Sequence, residues 1–519
     1  MNTATLTPMR PPVIRTRPRR VWMRRLLFIL VIDGILLGMA ELIAGVVKPF
    51  YYHRVVAAEK LSSPKAAGEK RVFLYGESTI YGVPYGPNNS TATWLEAILH
   101  EVLPDEQIRV INFGGPGQGS LHLLDALEKT IGYEPDAIVM CVGHNEFLAG
   151  PLSFVTSGPA HRWSYFHCHL YRVGFHALPS LHERLGKSGD KFVGIPPWSA
   201  QHDAVREQYR RNVEAMVALA EDKQVPIVLA MPGCYGPWPP NQSQHRQTFN
   251  AEQLKDFATR MKAARQAVDR GQGDEAAIRQ LIAESEDYAE THYCLGRVLE
   301  QSGRTAEAYG EFYKSLDLDC VPLRGQSPML GILQEIATTH QLPFINCRDV
   351  FREHSPEQTP GGNLFIDHCH PRPYGQYLMA EAMARSLCAQ GRLAAADRWQ
   401  WDRMPTYETC SKEVQLSPEQ WRASERTVIA SALATTPATA VDMTVQPPPF
   451  ADANDPEWRA LHALAMWECG RHAEVHEKWK HLNDAERGAL GECHRLWPAA
   501  LQTSWSKLAA ELATVHDSQ

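Results

Sequence analysis

The sequence contains no CxxC pair, and its 11 cysteines are an odd number scattered along 519 residues. That spacing forms neither a recognisable disulfide framework nor a zinc site. A basic surplus is missing too: 59 Asp and Glu outnumber 52 Lys and Arg, for a formal net charge of −7. Basic residues are dense only where Arg10, Arg15, Arg17, Arg19, Arg20, Arg24 and Arg25 fall, and nothing else in the chain points to nucleic acid. The composition is otherwise that of an ordinary globular protein, and the length predicts two to four structural units at roughly 100–200 residues each.

Long apolar runs are scarce, and the exception follows the arginines directly. Residues 26–47 are almost wholly apolar, and about 20 residues at a rise of 1.5 Å cross a hydrocarbon layer of about 30 Å. The run reads as one transmembrane helix over 26–48. Asp33 and Glu41 interrupt it, each at a cost of up to roughly 3 kcal/mol at mid-membrane, a penalty that shrinks towards the ends where both lie. A cleaved signal peptide is the rival reading, but the run exceeds the usual length of about 7–15 residues and no small-x-small cleavage site follows closely. The arginine bias places residues 1–25 in the cytoplasm and the rest of the chain outside it, in the periplasm or its equivalent.

From Arg71 the pattern changes to short apolar runs that end in glycine-rich turns: RVFLYGES, IRVINFGGPGQGS, DAIVMCVGHNEF and VPIVLAMPG. Helical stretches such as 94–102 and 121–131 lie between them. Strands alternating with helices predict an α/β fold, a parallel sheet covered on both faces. Ligands of such sheets sit outside the carboxyl ends of the strands, where these turns fall. The strand signal stops after Pro240, and residues 250–319 read as helical. Within them, AETHYCLGRVLEQSGRTAEAYGEFYKSLDLD resembles one tetratricopeptide unit, with Leu295 and Gly296 in the first helix, Gly303 at the turn, and Ala308 and Phe312 in the second. One unit cannot bury its own face, so the helices around 257–282 are expected to supply its partner. A generic helical hairpin would share most of these residues.

Strand and turn signals return in LPFINCRDV and FIDHCHPRPYGQYLMAEAMARSL, so the α/β domain is interrupted by the helical segment and completed after it. Beyond about 396 the chain becomes Trp-rich and helical, with a Pro/Ala/Thr-rich linker near 436–449. The expected divisions are a basic tail (1–25), the anchor (26–48), a first sheet-domain part (70–249), a helical insert (250–320), a second sheet-domain part (321–395) and a C-terminal helical region (396–519).

Gly76-Glu77-Ser78 at the end of a strand puts a hydroxyl at the sheet edge. Alone, this serine reads better as a turn or cap residue. Four turns in order change the reading: GES, NFGGPGQGS, GHNEF and DHCHP resemble the sequence blocks of the SGNH (GDSL-like) hydrolases. The resemblance covers roughly 71–387 and implies a three-layer α/β/α fold. By it, Ser78 takes the place of the nucleophile, Gly117 that of the oxyanion glycine in NxGxPG, Asn145 that of the asparagine in GxN, and Asp367 and His370 those of the DxxH pair. The chemistry needs these types, because a neutral serine attacks only if a base accepts its proton and a carboxylate fixes the tautomer of that base. The oxyanion donors implied are the N–H groups of Ser78 and Gly117 and the side-chain amide of Asn145. His368 competes with His370 as base, and the DxxH spacing favours His370.

Two residues depart from the family pattern: Glu77 stands for the aspartate of GDS and Glu146 for that of GxND, with the same charge on a longer side chain. Both are expected to alter supporting hydrogen bonds rather than the reaction. GHNEF, the helical insert and LFIDHCHP together look like the membrane-anchored SGNH proteins that hold a tetratricopeptide segment inside the hydrolase domain. That resemblance turns Arg324 towards the site, although a surface or ion-paired arginine fits equally. Such enzymes need no metal or cofactor. His161, His167, Cys168 and His169 suggest a metal site only weakly, having no regularly spaced acidic partner, and GGPGQG lacks the Lys-Ser/Thr of a phosphate loop.

The expected function is a serine-dependent esterase acting on an acylated small molecule or envelope glycan, for example an O-acetylated one, with the insert available to a protein partner and the N-terminal helix to the membrane. An O-acyltransferase with the same triad is the alternative, and an inactive membrane-tethered scaffold is a reading of another class. The intact Ser78/Asp367/His370 set argues against the scaffold.

Overall fold

The computed structural model describes residues 35–43, 61–148 and 194–414 apart from 362 and 392, isolated residues between 163 and 171 and between 419 and 426, and most of 456–516. The chain divides into two compact units. The smaller comprises residues 1–54 and 157–188. Its described part is a helix over 35–43 and isolated residues between 163 and 171; Ile35, Leu36, Leu37, Met39, Leu42 and Ile43 of the helix are exposed. Glu41, one of the two acidic interruptions in the apolar run, accepts hydrogen bonds from the Leu170 N–H at 2.8 Å and the Cys168 thiol at 3.2 Å. Most of the expected span over 26–48 lies outside the described residues, as do His161, His167 and His169 and the linker at 436–449. Among the described residues no helix is long and apolar enough to cross a membrane.

The larger unit is built on five parallel strands, β1 (Glu69–Gly76), β2 (Gln107–Asn112), β3 (Ala137–Cys141), β4 (Ile227–Met231) and β5 (Phe344–Asn346), in the order β2-β1-β3-β4-β5. The central strands are buried along almost their whole length, which is why they read as continuous apolar runs rather than alternating ones. Side chains still alternate in direction along each strand. Val72 and Leu74 of β1 enter an apolar cluster with helices α2 (Thr91–Val102) and α11 (Pro373–Gln390). Phe73 and Tyr75 pack with Phe113 instead, and the Tyr75 hydroxyl meets the Thr130 hydroxyl at 2.5 Å. Thr130 closes helix α3 (Ser120–Thr130), which packs on α4 (Ala200–Asp222).

Strand order places the site. After β1 the chain builds β2 on one side and β3 on the other, and such a reversal opens a crevice at the carboxyl ends of the diverging strands. Registers bring those ends level: Leu74 opposes Asn112, Gly76 opposes Cys141, Cys141 opposes Ala230 and Met231 opposes Asn346. Helix α1 (Ser78–Tyr81) begins at this point.

The expected helical segment is four helices, α5 (Ala251–Asp269), α6 (Glu275–Glu284), α7 (Ala289–Gln301) and α8 (Thr305–Leu318). They share an apolar cluster that includes Phe257, Met261, Leu281, Leu295, Leu299 and Phe312. Gly296 lies against the Phe312 ring, and Gly303 takes φ +74°, a turn conformation that suits glycine. Buried Asp319 accepts from the backbone N–H groups of Asn241 at 2.8 Å, Gln242 at 3.0 Å and Val321 at 3.0 Å, which ties the two ends of the segment together. Helices α9 (Ser327–Thr339) and α10 (Cys347–Glu353) then resume the sheet domain.

The sheet domain runs past the boundary expected at 395/396. Trp399, Cys410 and Val414 belong to the same apolar cluster as Val72 and Leu74, Tyr407 of α12 (Tyr407–Glu413) stacks on Trp94 with 5.4 Å between ring centroids, and the Tyr377 hydroxyl donates to the Pro405 carbonyl at 3.0 Å. A separate cluster, with Leu461, Leu464, Trp497, Trp505 and Leu508, joins helices α13 (Pro456–Glu468), α14 (His472–Lys480) and α15 (Ala499–His516).

The crowding behind α1 makes Gly76 a sensitive position. A β-carbon there would collide with Ile80 and lie 2.9 Å from the Cys141 carbonyl oxygen. Gly76→Ala is expected to cost about 1–3 kcal/mol of stability by overpacking, measured as a lower urea midpoint at an unchanged slope. An unaltered midpoint would show that the β1–α1 junction has room to relax.

Candidate active site

Ser78 is the first residue of α1, and its N–H is among those at a helix start that have no intrahelical partner. Its Oγ lies 2.8 Å from His370 Nε2, and His370 Nδ1 lies 2.6 Å from Asp367 Oδ2. The three expected members of the relay are therefore joined in one chain of hydrogen bonds across 292 residues of sequence. His368 stands aside, with Nδ1 3.7 Å from Asp367 Oδ1 and its ring tilted against Trp238 at 6.0 Å between centroids.

The DxxH spacing has a local cause. Asp367 Oδ1 accepts from the backbone N–H groups of Cys369 at 3.0 Å and His370 at 2.9 Å, which is how an aspartate folds its own chain into a turn. The turn is closed by the Ile366 N–H to the His370 carbonyl at 3.0 Å and the Arg372 N–H to the Leu364 carbonyl at 2.7 Å. With Oδ1 committed to the turn, Oδ2 is left for the imidazole that the turn brings back. Gln376, buried in α11, donates to the Thr79 carbonyl at 3.1 Å and holds the histidine turn against the helix that starts at Ser78.

Both family departures prove to be ties between loops. Glu77, fully buried, accepts from the N–H groups of Gly143 at 3.3 Å, His144 at 2.9 Å and Asn145 at 3.1 Å. Burial and then the charge of Glu146 push its carboxyl well above the usual range, against the pull of those three donors. Glu146 accepts from the Ser120 N–H and hydroxyl, both at 2.7 Å, so a carboxylate sits at the amino end of α3, where the helix dipole favours it. Burial raises it to about 7. Asn212 of α4 completes the group by donating to the Ser120 hydroxyl at 2.9 Å.

Two of the three expected oxyanion donors sit on restrained turns. Gly117 takes φ +69°, which favours glycine, and a side chain there would meet only Leu148, at 4.0 Å. Asn145 donates through Nδ2 to the Gln118 carbonyl at 2.9 Å, which the sequence did not announce. A primary amide has two N–H donors, so one is spent on fixing the side chain and one remains.

Arg324 is buried rather than on the surface. It donates to the carbonyls of Tyr235 at 2.9 Å and Gly236 at 3.3 Å, and the Tyr235 N–H in turn donates to the His368 carbonyl at 3.0 Å. It thus supports the histidine turn through one residue. His144, missed by the motif reading, accepts at Nδ1 from the Gly325 N–H at 2.8 Å, and burial holds its pKa well below the ordinary value. Its position between Gly143 and Asn145 in GHNE was the available signal. Cys369 was overlooked as well. Burial pushes its thiol up, but the neighbouring His368 and His370 outweigh this and bring it down to about 7.

Electrostatics set the proton inventory. Burial alone would lower the His370 pKa, but the Asp367 carboxylate, with help from Cys369, raises it well above the ordinary value. For Asp367, burial works upward and is outweighed by His370 and His368, so it stays ionised far below the usual carboxylate range. A base must be unprotonated to take the Ser78 proton, so kcat/KM on a short-acyl ester is expected to rise with pH, with its midpoint above the ordinary imidazole value of about 6.5. Asp367→Asn removes the charge that raises that pKa and should move the midpoint down as well as lower the plateau. A midpoint that does not move would separate Asp367 from the titrating group.

Residues 74–273 match the GDSL-like lipase/acylhydrolase family. The match spans Ser78, Gly117 and Asn145 and ends inside the helical segment, so it leaves out Asp367 and His370, which the fold returns to the same sheet edge. No curated protein matches the chain. Among solved structures, a GDSL-like lipase from Bacteroides thetaiotaomicron is 12% identical with a TM-score of 0.30, over 65% of this chain and 98% of that one. A lipase/acylhydrolase from Enterococcus faecalis is 13% identical with a TM-score of 0.29, over 62% and 96%. An acetyl-xylooligosaccharide esterase from Geobacillus, in a mutant form, is 14% identical with a TM-score of 0.29, over 61% and 94%. Likenesses at these scores carry no weight beside the family match. Residues 74–273 thus form a GDSL-like lipase/acylhydrolase domain, which supports an ester-hydrolysing serine hydrolase.

Proposed function

We propose that the chain is an envelope esterase in which Ser78 is the nucleophile, His370 the general base and Asp367 the group that orients it, and that its substrate is an acylated extracytoplasmic molecule such as an O-acetylated glycan. The observation that carries the catalytic part is the hydrogen-bond chain from Ser78 through His370 to Asp367, at 2.8 and 2.6 Å. As Ser78 Oγ bonds to the acyl carbon, His370 Nε2 takes its proton. The carbonyl oxygen becomes an anion, held by the N–H groups of Ser78 and Gly117 and the free amide N–H of Asn145. Protonated His370 then gives the proton to the departing alkoxide, leaving an acyl-serine that water, activated by the same histidine, cleaves. An alcohol in place of water would make the enzyme an acyltransferase on the same intermediate.

The location rests on the arginine-flanked apolar run over 26–48, read as a single-pass anchor with residues 1–25 inside. An enzyme so tethered meets acylated envelope material, which is the reason for the substrate class. The helical segment over 250–320, read as a tetratricopeptide-like lobe with its own apolar cluster, is the surface offered to a protein partner.

The direct test is labelling by a fluorophosphonate probe, which Ser78→Ala should abolish. On an acetyl ester, Ser78→Ala and His370→Ala should each remove turnover on the order of 10⁴–10⁶-fold, and the double variant should lose little more, because residues of one proton transfer are not additive. Asn145→Ala should lower turnover by roughly 10²–10³ while leaving Ser78 reactive towards the probe. Additive losses for Ser78 and His370 would remove His370 as the base. For topology, a periplasm-dependent reporter fused after Gln519 should be active; activity of a cytoplasm-dependent reporter at that position would reverse the orientation.

A further inference from the structure

The turn that carries the relay holds more ligating atoms than the relay uses. Asp367, Cys369 and His370 each present one, and the carboxylate oxygen, the thiol sulfur and the imidazole nitrogen all lie within 4.8 Å of one another. Cys369 Sγ is 3.9 Å from His370 Nδ1, and His370 Nδ1 is 2.6 Å from Asp367 Oδ2. With metal–sulfur bonds of about 2.3 Å and metal–nitrogen and metal–oxygen bonds of about 2.0 Å, a tetrahedral zinc site separates its sulfur and nitrogen ligands by about 3.6 Å and its nitrogen and oxygen ligands by about 3.3 Å. The sulfur–nitrogen and nitrogen–oxygen pairs of the turn meet that geometry with shifts of less than about 1 Å. His368, with Nδ1 3.7 Å from Asp367 Oδ1, flanks the same carboxylate and can complete the coordination, as can water.

We infer that Asp367, Cys369 and His370 form an inhibitory site for a thiophilic divalent cation of the Zn²⁺ class, which switches off the base of the proposed triad. Sulfur and nitrogen donors together favour zinc or cadmium over magnesium or calcium, which prefer all-oxygen sites. The proton balance explains the inhibition. The cation takes Cys369 as thiolate, and the thiol proton leaves to solvent. It takes His370 at Nδ1, so the proton that Nδ1 shared with Asp367 moves to Nε2 and the imidazole remains neutral. Nε2 then carries hydrogen and faces Ser78 as a donor, and the lone pair that would accept the serine proton is gone. Metal and substrate need not overlap for this to happen.

The inhibition rests on the triad reading, whereas the binding does not, and two measurements on the full chain separate them. The first is Zn²⁺ titration of acetyl-ester hydrolysis. Inhibition of the wild type should be reversed by EDTA, and Cys369→Ser should need about ten times more Zn²⁺ or beyond, since even loss of a group that only supports a ligand typically costs about 10–100-fold in affinity. Cys369→Ala serves as a second variant, with the fold of each checked by circular dichroism. The second measurement needs no activity: Cd²⁺ added to Ser78→Ala should produce a thiolate-to-cadmium absorption band saturating near one equivalent, and Ser78→Ala/Cys369→Ser should lose it. A band that persists unchanged without Cys369, or equal Zn²⁺ sensitivity of the wild type and both Cys369 variants, overturns the site. A Cys369-dependent band in a wild type that hydrolyses no ester would keep the site and remove the triad reading instead.

Discussion

The chemistry available at Ser78 depends on how one carboxylate divides its two oxygens. Asp367 Oδ1 is spent on the backbone N–H groups of Cys369 and His370, and Oδ2 on the His370 ring. The first oxygen makes the turn that points His370 back, and the second sets which ring nitrogen carries the proton. A longer side chain would have difficulty doing both, because a turn of this kind closes through the short reach of aspartate. Burial works against the charge, but the neighbouring His370 and His368, together with these hydrogen bonds, hold the carboxyl far below the usual carboxylate range, so both oxygens remain acceptors.

The two glutamates are held to the opposite requirement, for reach. Glu77 leaves the end of β1 and collects three consecutive N–H groups from the loop after β3. Glu146 leaves that loop and ends at Ser120, the start of α3, which follows β2. Asn145 joins the same two loops through Gln118, and the Ser78–His370 contact joins β1 to the late turn. The four sequence blocks are therefore cross-linked to one another by side chains, beyond the sheet that brings their ends level. Burial of both glutamates is costly unless donors satisfy them; Glu77 takes backbone N–H groups of the loop after β3, and Glu146 the N–H and hydroxyl of Ser120 at the start of α3. The longer side chains thus stiffen the site while standing outside the proton transfer.

Much of this was legible because it is local. Four apolar runs ending in glycine-rich turns and the later LPFINCRDV correspond to the five parallel strands, and the helical composition of 250–319 to four helices close to those bounds. Four short blocks in order gave Ser78 and the DxxH pair. What escaped was set by distant parts of the chain. Nothing near Asn145 says that half its amide will be claimed by Gln118, and nothing near Arg324 says that it will be buried under the Tyr235 carbonyl. The Trp-rich stretch after 396 reads as the start of a new unit because composition changes there, but Trp399 and Cys410 fill a gap beside α2 and α11 that sequence alone does not reveal. Residue periodicity reports which face of an element is apolar, not which partner covers it.

A helical segment of four helices interrupts the sheet domain between β4 and β5, and its junction explains why the site survives it. The chain leaves at Asn241 and Gln242 and returns at Val321, and Asp319 holds all three N–H groups at once, while the Asn241 amide donates to the Val321 carbonyl at 2.9 Å. With the ends pinned, the segment is tolerated between β4 and β5, because the cost of closing a longer loop grows only slowly with its length. Immediately after this clasp, Arg324 reaches the Tyr235 carbonyl and Gly325 meets His144 beside the catalytic loops. Helix α8 also packs on the sheet domain beside this clasp: Arg348 of α10 lies over the Tyr313 ring at 4.6 Å, and the Ser327 N–H donates to Asp317 at 2.7 Å. The distance from Ser78 to His370 is set by the sheet and by the turn at Asp367, and α8 reaches the neighbourhood of His144 through Arg348, which donates to the Gly325 carbonyl.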